Sequence, residues 1–127
     1  FTEVGALTSG TDVTEAAFLN ATGTLISNVQ TAPAATTSLS GVILYTDTSG
    51  TATLGTDLKI YMSANNGTNF TEASSYATAQ TFSGSVKMVR LGKTTVTSGT
   101  QVKLKAVWAN QASGSKETRL DGWAINY

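Results

Sequence analysis

The chain has 127 residues, enough for one domain with its own hydrophobic core, and 40% of them are hydrophobic. Only 13% are charged and the net charge is zero, so short polar residues must cover the surface, and a nucleic-acid partner is not expected. The sequence contains no Cys and no His, which excludes disulfides, thiolate chemistry and the commonest general base. No apolar run approaches the roughly 20 residues of a membrane span, so no membrane partner is expected.

The first segment, residues 1–22, has the weakest pattern and is predicted to be an N-terminal arm or irregular segment. Residues 14–19 have the composition of one helical turn, which Thr11 or Asp12 would cap. An arm that becomes ordered on a neighbouring subunit is one alternative, and plain terminal fraying is another of at least equal weight. Because the sequence begins with Phe1 rather than Met, a processed product or an excised piece is expected.

From residue 24 the pattern becomes that of β-structure, and residues 23–127 are predicted to form one β-sandwich domain. Residues 31–37 contain Pro33 and are predicted to be a loop or an edge segment. Residues 42–45 form a continuous apolar run, which is typical of a central strand.

The clearest hairpin lies in residues 57–73. Over residues 58–63, three apolar residues alternate with three more polar ones, which is the period of a half-buried strand. Asn66-Gly67 then supplies a pair that tolerates positive φ at both central positions of a tight turn. Phe70 begins a second short strand and is predicted to be a core aromatic residue.

Further strands are predicted at residues 85–91, 101–110 and 117–127. The first changes its apolar face between Met88 and Val89, which predicts a bulge. A turn is predicted at residues 98–100, an inward-facing side chain at Trp108, and a kink near Gly122. Seven or eight short strands without a long helix predict an all-β fold, an antiparallel β-sandwich of jelly-roll-like form.

Charge is unevenly distributed along the chain. Five acidic residues precede the first cation, Lys59, and every cation lies between Lys59 and Arg119. Mixing of the two halves by folding is the simpler interpretation. The functional interpretation is a contact between neighbouring copies, in which an acidic patch meets a basic one.

Carboxylate pairs are the remaining enzymatic option, because a glycosidase uses two carboxylates about 5–10 Å apart. Glu117 with Asp121 and Asp47 with Asp57 are candidate pairs, but eight acidic residues on an exposed β-protein will contain such pairs by chance. Asp47, Thr48 and Asp57 could also bind calcium, although hydrogen bonding within a turn explains them equally well. We therefore predict no catalytic residues, no metal site and no cofactor.

Aromatic residues are the candidate contact residues, for a glycan or for another subunit. They are Tyr45, Tyr61, Tyr76, Trp123 and Tyr127. Core packing or subunit contact is favoured over glycan binding for this set.

Four segments taken in order, residues 21–27, 40–45, 57–72 and 108–127, resemble β-rich structural and tail-fibre-like modules of bacteriophages, particularly marine ones. The most distinctive features are Asn110-Gln111 and Ser115-Lys116, followed by Gly122. The resemblance implies a non-enzymatic module located in the virion, as a capsid decoration, appendage or tail-fibre part. Expected partners are copies of itself, with a trimer favoured, other virion proteins, and a glycan of the host surface. The alternative is a bacterial extracellular carbohydrate-binding or adhesion module at the cell surface.

Overall fold

A computed structural model describes residues 20–127, which form seven β-strands. The strands are β1 (Ala21–Ile26), β2 (Gln30–Ser49), β3 (Leu58–Ser63), β4 (Thr71–Glu72), β5 (Gln80–Ser83), β6 (Val86–Gln111) and β7 (Glu117–Asn126). All pairings between these strands are antiparallel, so the predicted all-β antiparallel class is confirmed. The helical turn predicted at residues 14–19 lies outside the described residues, and so does most of the predicted arm.

Strand β6 organises the sheet. Its first half pairs with β2 and β5, and its second half pairs with β3 and β1. On one side, β1 and β2 follow β6 along almost its whole length, from Ala21 opposite Gln111 to Tyr45 opposite Lys87. Strand β7 then pairs with the free side of β2, which gives the order β4-β3-β6-β2-β7.

The core gathers the inward-facing residues of both halves of β6 into one hydrophobic cluster. Its largest fully buried apolar side chains are Leu39, Ile43, Leu58, Ile60, Met62, Val89, Val102 and Leu104. They alternate along their strands with more exposed residues, as the period of two in a strand requires. Burial of each such side chain stabilises the fold by about 1.5–3 kcal/mol. This shared core is compatible with the predicted sandwich.

The Asn-Gly turn adopts the predicted conformation. Asn66 and Gly67 have φ values of 60° and 81°, and the Thr68 N–H donates to the Asn65 carbonyl over 3.2 Å. The predicted core role of Phe70 is wrong, because its ring packs beside Gly67 and the Lys105 ammonium, away from the hydrophobic cluster.

Two segments predicted to interrupt the strands lie within long ones. Residues 31–37 belong to β2 and pair only with β6, because the pairing with β7 begins at Ser40, so of the two predicted alternatives the edge segment is confirmed. Pro33 lies there at a register shift, and its missing N–H therefore removes no regular ladder bond. Residues 98–100 belong to β6, which continues because Gly99 lets its backbone pass close to the Ala64 carbonyl. The strands number seven, within the predicted seven or eight, but β2 and β6 are much longer than the short strands that the sequence predicted.

The two predicted irregularities in later strands have different outcomes. The bulge between Met88 and Val89 is absent from the ladder, because β6 pairs there with β2 in continuous register and Met88 faces away from the core. The kink near Gly122 is confirmed, since the register of β7 with β2 shifts between Leu120 and Gly122. No helix within residues 20–127 is long and apolar enough to span a membrane.

Candidate interaction groove

A groove of about 640 Å³ opens between the edge strands β1 and β7. Its lining comes from β1 and the residues that follow it, from Val102 of β6, and from the end of β7. The lining residues are Leu25, Ile26, Ser27, Asn28, Gln30, Val102, Trp123, Ala124, Ile125 and Tyr127. None of them is charged.

Core-facing side chains are exposed in this groove. Leu25 lies directly opposite Ala106, and Trp123 directly opposite Ile43. Directly paired residues point to the same face of a sheet, and both Ala106 and Ile43 are fully buried. Leu25 and Trp123 are nevertheless 37% and 42% exposed, because each stands on an edge strand that no further strand of residues 20–127 covers. The groove therefore lies at an edge of the hydrophobic core, where core-facing side chains are left partly exposed to solvent.

The edges beside the groove lack the charges that usually protect exposed strands. Residues 20–46 and 122–127 contain no Asp, Glu, Lys or Arg. Exposed edge strands normally carry charged residues or prolines that discourage pairing with another chain. Ile26 and Tyr127 add exposures of 53% and 59% at the rim. Exposed apolar side chains on unprotected edge strands are a candidate surface for pairing with another chain.

Amide groups accompany the apolar residues at one end of the groove. Asn28 and Gln30 are exposed there, in the same lining as Trp123 and Tyr127. Ser27 has a structural role, because its hydroxyl accepts from the Leu104 N–H over 2.9 Å and donates to the Asn28 carbonyl. The groove thus offers two aromatic rings together with exposed amides.

Of the five predicted contact aromatics, Trp123 and Tyr127 lie in the groove and three lie elsewhere. Tyr45 must be removed from the set, because it is 3% exposed and packs in the core, and burial raises the pKa of its phenol. Tyr76 is half-buried; its hydroxyl accepts from the Ile60 N–H over 2.8 Å and donates to the Glu72 carboxylate over 3.1 Å. Tyr61 lies on the outer face of β3, beneath Lys105.

The most buried carboxylate, Asp57, is fully engaged by protein donors. Its Oδ2 accepts from the Thr53 N–H over 2.8 Å and from Lys116 Nζ over 2.9 Å. Its Oδ1 accepts from Asn110 Nδ2 over 2.9 Å. The Thr53 N–H, followed by Lys116 and Asn110, lowers the pKa of Asp57 to about 2. The distinctive Asn110 and Lys116 positions therefore hold the turn between β6 and β7 onto this carboxylate.

The other candidate acids are also engaged within the chain. Asp47 accepts from Lys87 Nζ over 2.8 Å and from the Ala52 N–H over 3.0 Å. Asp121 accepts from the Thr46 hydroxyl and from Arg119 Nε, both over 2.6 Å, and the Thr46 bond is the main reason why its pKa is lowered. A glycosidase acid needs a raised pKa, so this geometry does not favour a catalytic pair. Within residues 20–127 no cluster of three potential metal-ligating acids occurs.

Sequence reasoning missed the aliphatic half of the groove. Leu25 and Ile26 are neighbours on β1, and each is at least 37% exposed. The available signal was the absence of any charge over residues 20–46. That signal identifies an unprotected surface, but it does not indicate that β7 lies beside β1.

No protein-family model, curated protein or solved structure matches this chain.

Proposed function

We propose that this protein is a non-enzymatic structural module of a virus particle, a capsid decoration, appendage or tail-fibre part, that assembles by joining copies of itself. The observation that carries the assembly is the groove, where core-facing Leu25 and Trp123 remain exposed between uncharged edges. A second copy, presenting the same uncharged surface, would cover these side chains without burying an unpaired charge. A trimer remains the favoured assembly, with other virion proteins as further partners.

Placement in a virion is supported by the sequence rather than by the groove. The low charge content and the four segments that resemble phage modules favour it. The all-β antiparallel fold is compatible with such a module. Immunogold labelling of purified particles from the native source should therefore decorate the particle surface, and a stable monomer absent from particles would contradict the proposal.

The assembly surface is tested by placing a charge in the groove. Trp123→Glu and Leu25→Glu should each weaken self-association by roughly thirtyfold or more, as loss of an interface hot spot of about 2 kcal/mol does. Phe82→Glu is the matched control, because Phe82 is 57% exposed on β5, outside the groove lining. Sedimentation velocity measures the association, and urea unfolding verifies that each variant folds.

The second candidate function is binding of a neutral glycan, as in a bacterial adhesion or carbohydrate-binding module. The observation that favours it is the joint presence of Trp123, Tyr127, Asn28 and Gln30 in one groove. Aromatic rings stack on sugar faces, while amides donate and accept hydrogen bonds. A glycan array with the wild type and Trp123→Ala tests it. Binding that disappears in the variant would favour this function, and silence of the wild type would exclude the glycans tested.

A further inference from the structure

A second surface, the outer face of the β3–β6–β1 sheet, carries three lysines. Lys59 lies between Leu58 and Ile60, which are fully buried, so it points outward. Lys103 and Lys105 alternate in the same way with buried residues of β6. The ion pairs within residues 20–127 involve Lys87, Lys116 and Arg119, so none of the three outer lysines has an acidic partner in that part of the chain.

Lys105 is held at the centre of this outer face. Its Nζ lies 4.6 Å from the centre of the Tyr61 ring and 4.6 Å from that of Phe70. Contact with aromatic rings holds an ammonium without neutralising it. Lys105 also pairs directly with Ile26, which is 53% exposed. The outer face therefore combines fixed positive charge with exposed apolar surface.

The first 19 residues have the complementary composition. Residues 20–127 contain eight cations and five acids, a net charge of +3, whereas residues 1–19 contain three acids and no cation, a net charge of −3. The three acids, Glu3, Asp12 and Glu15, are interspersed with large apolar residues. These are Phe1, Val4, Leu7, Val13, Phe18 and Leu19. An acidic and apolar segment matches a basic and apolar face in both charge and hydrophobicity.

We propose that the outer face of β3–β6–β1 binds residues 1–19 of a neighbouring copy. The chain enters β1 at Ala21, opposite Gln111, while Lys105 and Lys103 lie towards the other end of β1. The end at which the chain enters β1 is thus the end farther from Lys105 and Lys103, which favours a contact with another copy. This inference rests on the proposed self-assembly and adds a second contact to it.

Zero-length cross-linking of the full-length wild type tests the contact. A mixture of isotopically light and heavy chains is treated with a carbodiimide, which joins carboxylates to amines in direct contact. Mass spectrometry should find mixed light–heavy peptides that join Glu3, Asp12 or Glu15 to the three outer lysines. Lys93, an exposed lysine on the other half of β6, is the internal control. Cross-links within a single chain, or equal reaction with Lys93, would overturn the proposal.

Charge reversal gives an independent test. One variant changes Lys59, Lys103 and Lys105 to Glu, and the other changes Glu3, Asp12 and Glu15 to Lys. Each variant alone should associate at least about tenfold more weakly than the wild type, and an equal mixture should recover association, because each acidic surface then meets a basic one. Lys93→Glu should have no effect. Charge-reversed variants that assemble normally, while Trp123→Glu does not, would leave the proposed function standing and overturn this inference. A monomeric wild type would overturn both.

Discussion

At the residue scale, the Asp57 carboxylate joins the loop before β3 to the turn between β6 and β7, which are distant in sequence. Its donors are Thr53, four positions earlier, and Asn110 and Lys116, more than fifty positions later. Asn110 adopts a left-handed backbone with φ of 59°, a conformation that Asn tolerates better than most residues. Asp57 therefore stabilises both the loop before β3 and the turn that leads into β7.

Asp57→Asn should lower the free energy of unfolding by about 3 kcal/mol, which is the lower end of the range of losses measured when one partner of a buried ion pair is removed. The lower end applies because the Lys116 side chain is 31% exposed and stays partly hydrated. Glu117→Gln is the control; this exposed carboxylate accepts from the Ser49 hydroxyl and the Gly114 N–H, and its change should cost at most about 1 kcal/mol. Urea unfolding measures both. Equal effects would contradict the special role of Asp57.

Stability should fall in acid because of the same carboxylate. The pKa of Asp57 is about 2 in the folded protein and about 3.9 in an unfolded chain. The unfolded state therefore binds a proton more readily, so this contribution is complete above about pH 4 and is lost as the pH falls towards about 2. Unfolding measured across this range should be less pH-dependent in Asp57→Asn. Asp121, whose pKa is also lowered, accounts for part of the dependence that remains. An unchanged slope would contradict this assignment.

The sequence singled out Asn110 and Lys116, but it did not show that their partner is Asp57. The structural role of these two residues depends on the Asp57 side chain, which lies more than fifty positions away. Similarly, alternation predicted correctly that Leu58, Ile60 and Met62 are buried, while Tyr45 was misassigned because an aromatic residue in an apolar run can face either side. Periodicity reports which residues share a face, and only the fold decides which face is covered.

At the element scale, the continuous strand β6 depends on a close backbone approach. A Cβ atom at Gly99 would lie 2.0 Å from the Ala64 carbonyl oxygen. Beside it, the Gln101 N–H donates to that same carbonyl, and the Asn66 N–H donates to the Gln101 carbonyl. Gly99 is therefore a contact point between β6 and the Asn-Gly hairpin, rather than the turn that its sequence neighbours predicted.

Gly99→Ala should destabilise the protein by about 3 kcal/mol, because backbone atoms have to move to make room for the methyl group. This value is the upper end of the usual destabilisation caused by adding atoms to a packed interior. Gly122→Ala is the matched control, since a Cβ atom there would lie 3.9 Å from Leu44 and should change stability by at most about 0.5 kcal/mol. Thermal unfolding compares the two variants. A Gly99→Ala protein as stable as the wild type would show that β6 is not tightly packed at this point.

Elements that depend on local sequence were predicted well, and those that depend on distant contacts were not. The Asn66-Gly67 turn follows from the positive φ that both residues tolerate. Residues 98–100 form a strand although Ser-Gly-Thr favours a turn. The adjacent Gln101 is held by hydrogen bonds with Ala64 and Asn66, which keep the backbone extended. Hydrogen bonds to a remote segment thus override a local turn preference.

At the scale of the whole molecule, two surfaces of different chemistry lie on either side of β1. The groove side is uncharged and apolar, whereas the outer face carries three lysines. The resemblance to phage modules predicted an oligomer, the distribution of charge along the chain suggested an acidic and a basic patch, and the groove residues Trp123 and Tyr127 were among the predicted contacts. The sequence alone did not separate the two surfaces, because neighbouring residues such as Leu25 and Ile26 point to opposite faces of one strand.

Salt should separate the two proposed contacts. Raising the ionic strength from about 0.01 M to about 1 M shortens the Debye length from about 30 Å to about 3 Å. Association through the lysine face should weaken over this range, whereas association through the uncharged groove should persist. Sedimentation velocity of the wild type should therefore show weaker but not abolished self-association at high salt. In Trp123→Glu the remaining association should disappear at high salt, and salt-independent behaviour of both proteins would contradict two distinct contacts.

The long pairing of β1 and β2 with β6 also has a consequence for how the protein is made. Ala21 pairs with Gln111, ninety positions later, and Tyr45 with Lys87. Pairing of Tyr45 with Lys87 closes the shorter loop and is therefore expected before pairing of Ala21 with Gln111. Strand β1 finds its whole partner only after residue 111 has left the ribosome. Such non-local pairing is slow, with folding times of milliseconds to seconds. Until then β1, which lies in the charge-free segment of residues 20–46, has no partner strand, and a growing chain is most exposed to aggregation during that interval.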